Sequence, residues 1–316
     1  MTTPYPSGRA EFCTREKCVS CESSDLETLD RGRFDQGPHL ADYSRSPWGD
    51  EGLPFLKKCE WELVRCKQCA QVFHKRVLTP QWEEVRFTKW LTKEAITRFE
   101  TERGLLSQGA LLDQAQREVG WVLSMEKLTR ELRAGGSMRL LDFGCGWGRV
   151  VAFASLFGCA AFGIDRSLAR QGGASGIGEI FESLDAFVSS QAEPVHVVSL
   201  FQVLEHLHQP IEVLRALHEI LAPGGFLVIE VPDGSGFLRI NEPNTLGVAD
   251  GLDHVNAFDP HTLSRIAENA GFKKFNSQPT PQVTADFHRV VKREALRALR
   301  RFLPATVSQI FRKARD

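Results

Sequence analysis

Polar and apolar positions change rhythm twice along this chain. Up to about residue 80 no rhythm holds. The stretch DRGRFDQGPHLADYSRSPWGDEGLPF (30–55) has neither helical spacing nor strict alternation, and its glycines, prolines and aspartates favour turns. From Gln81 to Arg133 apolar residues recur every three or four places. In QGALLDQAQREVGWVLSMEKLTREL, Leu111, Ala115, Val119, Val122, Met125 and Leu128 predict a long amphipathic helix, which RAGGS stops.

After Ser137 short apolar runs alternate with helical ones. MRLLDF, AAFGID, VHVVSLFQV and FLVIEV read as strands, with GEIFESL as a weaker one. Between them GRVVAFASLFG, a short glycine-interrupted segment and PIEVLRALHEIL read as helices, the last starting at Pro210 and stopping at APGG. DPHTLSRIAENAGF predicts a further helix, capped near Asp259 and closed by Gly271. Two short strands are expected near Lys274–Ser277 and Phe287–Val291. Strands this apolar, separated by helices, indicate a parallel sheet covered on both faces. A ligand then belongs beyond the strands' C-terminal ends, at Asp142 and Phe143, at Asp165, and near Phe201 and Gln202.

These patterns divide the chain into a loop-dominated module (1–80), a helical linker or lid (81–135), the α/β domain (136–291) and a basic tail (292–316). At 316 residues and 42% hydrophobic there is material for one large unit and a smaller one. The net charge of −1 conceals an acidic middle, where residues 81–285 hold 18 Lys/Arg against 25 Asp/Glu. Such a surface suits phosphate backbones poorly, so nucleic acid is not an expected partner. The tail is the opposite, with 9 Lys/Arg against 3 Asp/Glu over residues 286–316. Its Val290, Leu296, Leu299, Phe302, Leu303, Ile310 and Phe311 lie among those cations, with Pro304 as a break. It could dock on its own domain, meet a partner, or make peripheral contact with an anionic membrane. The first thirty residues hold no apolar stretch of signal-peptide length, and the expected location is cytoplasmic.

The turn LLDFGCGWGRV carries the most chemistry. Gly144, Gly146 and Gly148 make GxGxG, but the dinucleotide fingerprint needs a glycine where Arg149 stands. Asp142 just ahead of the glycines would repel a pyrophosphate on the following helix and attract a cationic amino-acid moiety, such as that of S-adenosylmethionine. Alternatively it caps the turn through backbone amides. Asp165 is placed to accept hydrogen bonds from ribose hydroxyls, a role that NAD would require equally.

With LLDFGCGWGR, GID, VVSLFQVLEHLHQP and LAPGGFLVIEVP in this order, residues 120–291 resemble a class I S-adenosylmethionine-dependent methyltransferase. The resemblance implies an α/β fold, a doubly wound, seven-stranded Rossmann-like sheet with its last strand antiparallel. It also implies that Gly144, Gly146 and Gly148 approach the methionine part of the cofactor, Asp165 the ribose and Asp185 the adenine, with Gln202 lining the methyl-donor pocket.

Methyl transfer needs a base only where the acceptor must lose a proton. His206 with Glu205 beside it, and His254 in DGLDHVNAFDP, are the leading candidates, ahead of His208 and His261; either could instead brace the fold. Some relatives hold a divalent ion through Glu-x-x-Glu-His here, and Gln202 at the first acid position argues against one in this chain. CVSC (Cys18, Cys21) and CKQC (Cys66, Cys69) are two knuckles able to supply four thiolates to one structural zinc. The 44 residues between them exceed a usual ribbon hairpin, which leaves Cys13, Cys59, His39 and His74 as substitutes. The module resembles the zinc ribbons preceding some methyltransferase domains. Cys145 and Cys159 read as packing residues.

The resulting expectation is an enzyme moving methyl from S-adenosylmethionine to a small-molecule, glycan or lipid-linked acceptor, at oxygen. The alternatives are an RNA methyltransferase using the zinc ribbon as a clamp, and a cofactor-binding protein without turnover.

Overall fold

The computed structural model describes residues 8–36, 46–47, 51–133, 136–167, 178–190, 193–235, 250–275 and 306–314. The N-terminal module contains more regular structure than its sequence suggests. Its strands are β1 (Phe12–Thr14), β2 (Leu26–Arg33), β3 (Glu60–Cys66), β4 (Val72–His74) and β5 (Arg76–Leu78). β2, β3 and β4 pair antiparallel, and β1 pairs with β5. β3 explains the missing rhythm. Trp61 and Leu63 face one apolar cluster, while Val64 and Cys66 on the other side face a second. A strand buried on both faces shows no polar alternation.

The segment after residue 80 is helical as expected. α1 (Pro80–Val85) runs into a π-turn, Arg86–Trp90, followed by α2 (Lys93–Glu102) and α3 (Gln108–Thr129). Thr92 and Ser107 cap the last two through their hydroxyls.

The main sheet then builds from β6 (Arg139–Phe143), α4 (Arg149–Leu156), β7 (Ala160–Ile164), β8 (Glu179–Phe181), α5 (Leu184–Ser190), β9 (Val195–Phe201), α6 (Pro210–Ile220) and β10 (Leu221–Pro232). β11 (Asn256–Ala257), α7 (Pro260–Asn269), β12 (Lys273–Lys274) and β13 (Thr306–Arg312) complete the chain. Asp259 and Thr262 close a capping box at the start of α7.

Seven strands lie in the order β12-β13-β10-β9-β6-β7-β8, with β13 antiparallel to both neighbours. The sheet is doubly wound. Leu141, Val198 and Leu200 face α6 and α7 through Leu214, Leu217, Leu263 and Ile266. Leu140 and Val197 face the opposite layer, formed by Trp121, Val122 and Met125 of α3 and Val151 of α4.

Two features of the packing cross the divisions read from the sequence. The end of the tail takes one of the outcomes open to it and docks on its own domain: β13 is a core strand, with Ile310 and Phe311 buried against β10. The antiparallel strand of the sheet is thus supplied by residues 306–312, while the expected strand at 287–291 and most of the tail lie outside the described residues. Residue 80 does not separate two cores. Phe34 and Trp61 share one apolar cluster with Trp82, Trp90 and Ile96 of the helical segment and with Leu252 and Ala257. β11 pairs with β4 as the fourth strand of the N-terminal sheet. Among the described residues no helix is long and apolar enough to cross a membrane.

Candidate active site

The glycine turn closes over the end of the parallel strands. Gly144, Gly146 and Gly148 have φ of +76°, +56° and +71°, a region that side chains other than glycine rarely enter. At Gly144 a methyl group would lie 2.4 Å from Cγ2 of Val203, so the loop packs directly on the turn Leu204–His206 that follows β9. Gly146 differs, since nothing lies within 4 Å of where its Cβ would be. Its backbone borders open space.

Asp165, at the end of β7, fixes this loop. Oδ2 accepts from Gly146 N at 2.8 Å and Oδ1 from Ser167 N at 2.8 Å. A carboxylate oxygen can accept more than one hydrogen bond, which is the chemistry a ribose diol requires. The residues present therefore fit an adenosyl cofactor: an open glycine backbone with a buried acid one strand away. Helices α2 and α3 hold the same turn, through Trp147 Nε1 donating to Glu100 Oε1 at 3.1 Å and Arg149 Nε donating to Glu118 Oε2 at 2.8 Å.

Asp142 is more deeply placed than expected. It lies within β6, buried, and accepts from Ser199 Oγ at 2.7 Å. Burial pushes its carboxyl up to about 7, against the Ser199 hydrogen bond and with help from the charges of Glu118 and Asp165. It is a half-suppressed acid behind the turn rather than a fixed charge on it. Gln202 has a left-handed backbone, φ +59°, and its Nε2 donates to Glu230 Oε1 at 3.3 Å. Buried Glu230, which the sequence reading missed, also accepts from Arg117 and Ser308. Asp185 is exposed in the first turn of α5, after β8.

Three further candidates converge next to the Leu204–His206 turn. One carboxylate oxygen of Glu205 and one ring nitrogen each of His206 and His254 lie within 4.8 Å of one another. The structure thus assembles a ligand set that the loss of an acid at Gln202 had argued against. His206 Nδ1 is 2.9 Å from Asp253 Oδ1, and the two imidazoles meet edge to face with centroids 4.8 Å apart. Burial alone would lower His206, but Asp253 holds it up at about 9; the same pairing holds Asp253 well below the usual carboxylate range despite its burial. Both Glu205 oxygens and His254 Nδ1 are buried without a hydrogen-bond partner, and burial pushes the Glu205 carboxyl up.

Asp253 and Arg86 were not singled out in the sequence. Arg86, buried in the π-turn, donates through Nη1 to Leu252 O and lies 3.3 Å from Asp253 Oδ1. Asp250 steadies the same segment by accepting from the amides of Leu252 and Asp253. His208 lies apart, its Nε2 3.7 Å from Glu83, and burial pushes it down to about 4. His261 stands at the start of α7.

A second cluster is formed by the two knuckles, which meet despite their separation. Cys18 Sγ lies 3.5 Å from Cys69 Sγ, Cys21 Sγ 3.5 Å from Cys66 Sγ, and all four sulfurs lie within 4.8 Å of one another. Four sulfurs at this spacing match a closed tetrathiolate zinc site. Within this coupled set the Cys18 thiol holds Cys69 below the usual thiol range, while the Cys69 hydrogen bond and burial push Cys18 up and burial pushes Cys21 up. Cys13 and Cys59 hydrogen-bond to backbone oxygens of Leu78 and Ala10 instead. His74 packs its ring on Trp61, and His39 lies outside the described residues.

Comparison with known proteins bears on the domain built around the main sheet. Residues 114–276, over half of the chain, match the family model described as a methyltransferase domain. A ubiquinone biosynthesis O-methyltransferase of Psychrobacter arcticus is 26% identical over 171 residues, covering 49% of this chain and 66% of that enzyme. The chain therefore spans less than two thirds of that relative's length. Among solved structures, the plantazolicin methyltransferase BpumL in complex with a desmethylPZN analog and SAH superposes with TM-score 0.47 at 15% identity, covering 74% of this chain and 97% of that one. A SAM-dependent methyltransferase from Archaeoglobus fulgidus gives TM-score 0.41 at 22% identity over 60% of this chain and 93% of that one. With the family match over residues 114–276 and the strand order of its seven-stranded sheet, the chain belongs to the methyltransferase domain family and has the class I, Rossmann-like methyltransferase fold.

Proposed function

We propose that the protein transfers the methyl group of S-adenosylmethionine to oxygen on a small-molecule, glycan or lipid-linked acceptor. One observation carries this reading. The open glycine turn with Asp165 packs, through Val203, on the turn bearing Glu205 and His206, and His254 lies against His206. A donor end and a polar, titratable acceptor end therefore share one wall. The O-methyltransferase relative supports oxygen as the acceptor atom.

When bound, the cofactor supplies a methyl group activated by its sulfonium for in-line displacement; alignment and exclusion of water are the tasks left to the protein. Gly144, Gly146 and Asp165 would hold its methionine and adenosine parts. At the acceptor end His254 Nδ1, buried and unpartnered, takes the hydroxyl proton. His206, anchored on Asp253, fixes the ring of His254 through the edge-to-face contact. The knuckle holds one structural zinc.

A second reading is favoured by the Glu205 carboxylate, whose buried oxygens accept no hydrogen bond and whose Oε1 lies 3.8 Å from His206 Nε2. With His206 and His254 it would hold a divalent cation, and the ion in place of His254 would lower the pKa of the acceptor hydroxyl.

The test incubates the protein with methyl-tritiated S-adenosylmethionine and separate pools of phenols, sugar nucleotides, lipid extract and total RNA, with and without a magnesium salt. Label in one of the first three pools is expected, and is expected to disappear in His254→Ala. Label confined to RNA would overturn the acceptor class. Activity that vanishes without magnesium would favour the second reading.

A further inference from the structure

The segment that carries Asp253 and His254 is held by the cysteine module. β11 is an outer strand of that module's sheet, with Asn256 opposite Phe73 and Ala257 opposite Val72. His74 N donates to Val255 O at 2.9 Å, and the buried Gln71 directs Nε2 to Ala257 O at 2.7 Å. Gln71 is two residues past Cys69.

Arg15, three residues before Cys18, grips the same segment from the other knuckle. Its guanidinium donates to His74 O through Nε at 2.9 Å, to Asn256 Oδ1 at 2.8 Å and His208 O at 3.2 Å through Nη1, and to Val255 O at 2.9 Å through Nη2. It also lies 5.0 Å over the ring of Phe73. Asn256 passes this constraint on, because its Nδ2 lies within hydrogen-bond reach of the carbonyls of Leu204, Glu205 and Leu207. Ser20, between Cys18 and Cys21, accepts from Asn269 of α7 at 2.7 Å. Both knuckles thus lead within a few residues to the groups that place Glu205, His206, Asp253 and His254.

A two-residue strand has little stability of its own. Its position is set by β4, and β4 follows directly from Cys66 and Cys69, whose packing a structural metal would fix. We infer that metal occupancy at Cys18, Cys21, Cys66 and Cys69 positions the acceptor end of the active site, so that losing the metal releases residues 253–257 while the donor end still binds. In naming that segment as the acceptor end the inference rests on the proposed function. Arg15 is a positioning residue in this account; it touches neither cofactor nor acceptor.

The experiment uses the full chain and S-adenosylhomocysteine as probe, with hydrogen exchange followed by mass spectrometry, calorimetry and zinc analysis. Chelating the metal is expected to speed exchange at residues 255–257 by at least about tenfold, as for a segment that opens locally. Exchange at residues 140–148 and the affinity for S-adenosylhomocysteine should change by less than about twofold, as for independent regions. Arg15→Lys keeps the charge but loses the planar fork, and should loosen residues 255–257 in the same direction with zinc content unchanged. This variant decides the matter if the chelated protein unfolds. Unchanged exchange at residues 255–257 in both samples would overturn the inference, as would equal losses at both ends of the site. If exchange behaves as expected but His254→Ala leaves methyl transfer intact, the coupling stands and the assignment of the acceptor end fails.

Discussion

The glycine-turn end of this site and its proposed acceptor end are built by different means. The first is local: Asp142 to Gly148 is one strand and one turn, completed by Asp165 at the end of the next strand. Its function lies in backbone conformation, three left-handed glycines of which Gly144 packs on Val203 and Gly146 has open space where a side chain would stand. The acceptor end is assembled from side chains spread between Arg86 and His254, and its rear support begins at Arg15. A contiguous turn tolerates change elsewhere in the chain. A convergent cluster depends on every element that contributes to it, including a four-cysteine cluster at the far end of the sequence.

The comparison predicts unequal sensitivity. The largest effect is expected from Cys66→Ser, since a structural zinc contributes on the order of 10 kcal/mol of binding free energy that is available only to the folded site. Elemental analysis should show about one zinc per wild-type chain and almost none in the variant, as expected of a closed four-thiolate site. Equal zinc in both would remove the knuckle from the account.

Gly144→Ala should come next. It combines a left-handed φ with a 2.4 Å approach to Val203, and strain plus overpacking should cost roughly 2–4 kcal/mol. Thermal denaturation checks this, with Gly146→Ala as the control: it shares the strained φ but meets no atom, so it should lose much less stability. Equal losses would mean that packing on Val203 is unimportant.

Asp165→Ala follows. Losing hydrogen bonds to a charged acceptor should weaken S-adenosylhomocysteine binding by about 1.5–3 kcal/mol, read by calorimetry. Asp165→Asn, which keeps one carbonyl oxygen, should lose less.

The smallest effect concerns pH. Asp142 is raised to about 7 and faces Ser199 of β9, Glu118 of α3 and Asp165 of β7. Below that value the free protein holds it neutral, and a cationic ligand end must drive off a proton to gain its charge. Affinity for S-adenosylhomocysteine, which retains its ammonium, should therefore rise with pH up to about 7 and level off above, with a slope of at most about one decade per pH unit. Asp142→Asn should flatten the profile. A wild-type profile that is already flat would show that Asp142 does not sense the ligand.

The same contrast explains what could be read from the sequence. The parallel strands of the main sheet, the glycine turn and Asp165 were legible because each is a contiguous pattern whose physical requirement is local. β3 was not, because Trp61 and Leu63 face one cluster and Val64 and Cys66 another, which breaks the alternation. The four cysteines could be named from spacing alone, yet nothing in that spacing shows that β11 pairs with β4 behind them. Asp253 lies in the polar stretch quoted for His254, but its role depends on His206, 47 residues earlier. Ile310 and Phe311 resembled one face of a basic amphipathic tail; the partner strand β10 makes them core.

The central claim is that the turn from Asp142 to Gly148, with Asp165, was built for S-adenosylmethionine and not for a dinucleotide. Calorimetric titration of the wild-type protein with S-adenosylhomocysteine and with NAD tests it most directly, with Asp165→Ala titrated in parallel. The account predicts saturable binding of S-adenosylhomocysteine that weakens in Asp165→Ala, and no measurable heat with NAD. Saturable NAD binding, with none of S-adenosylhomocysteine, would contradict it.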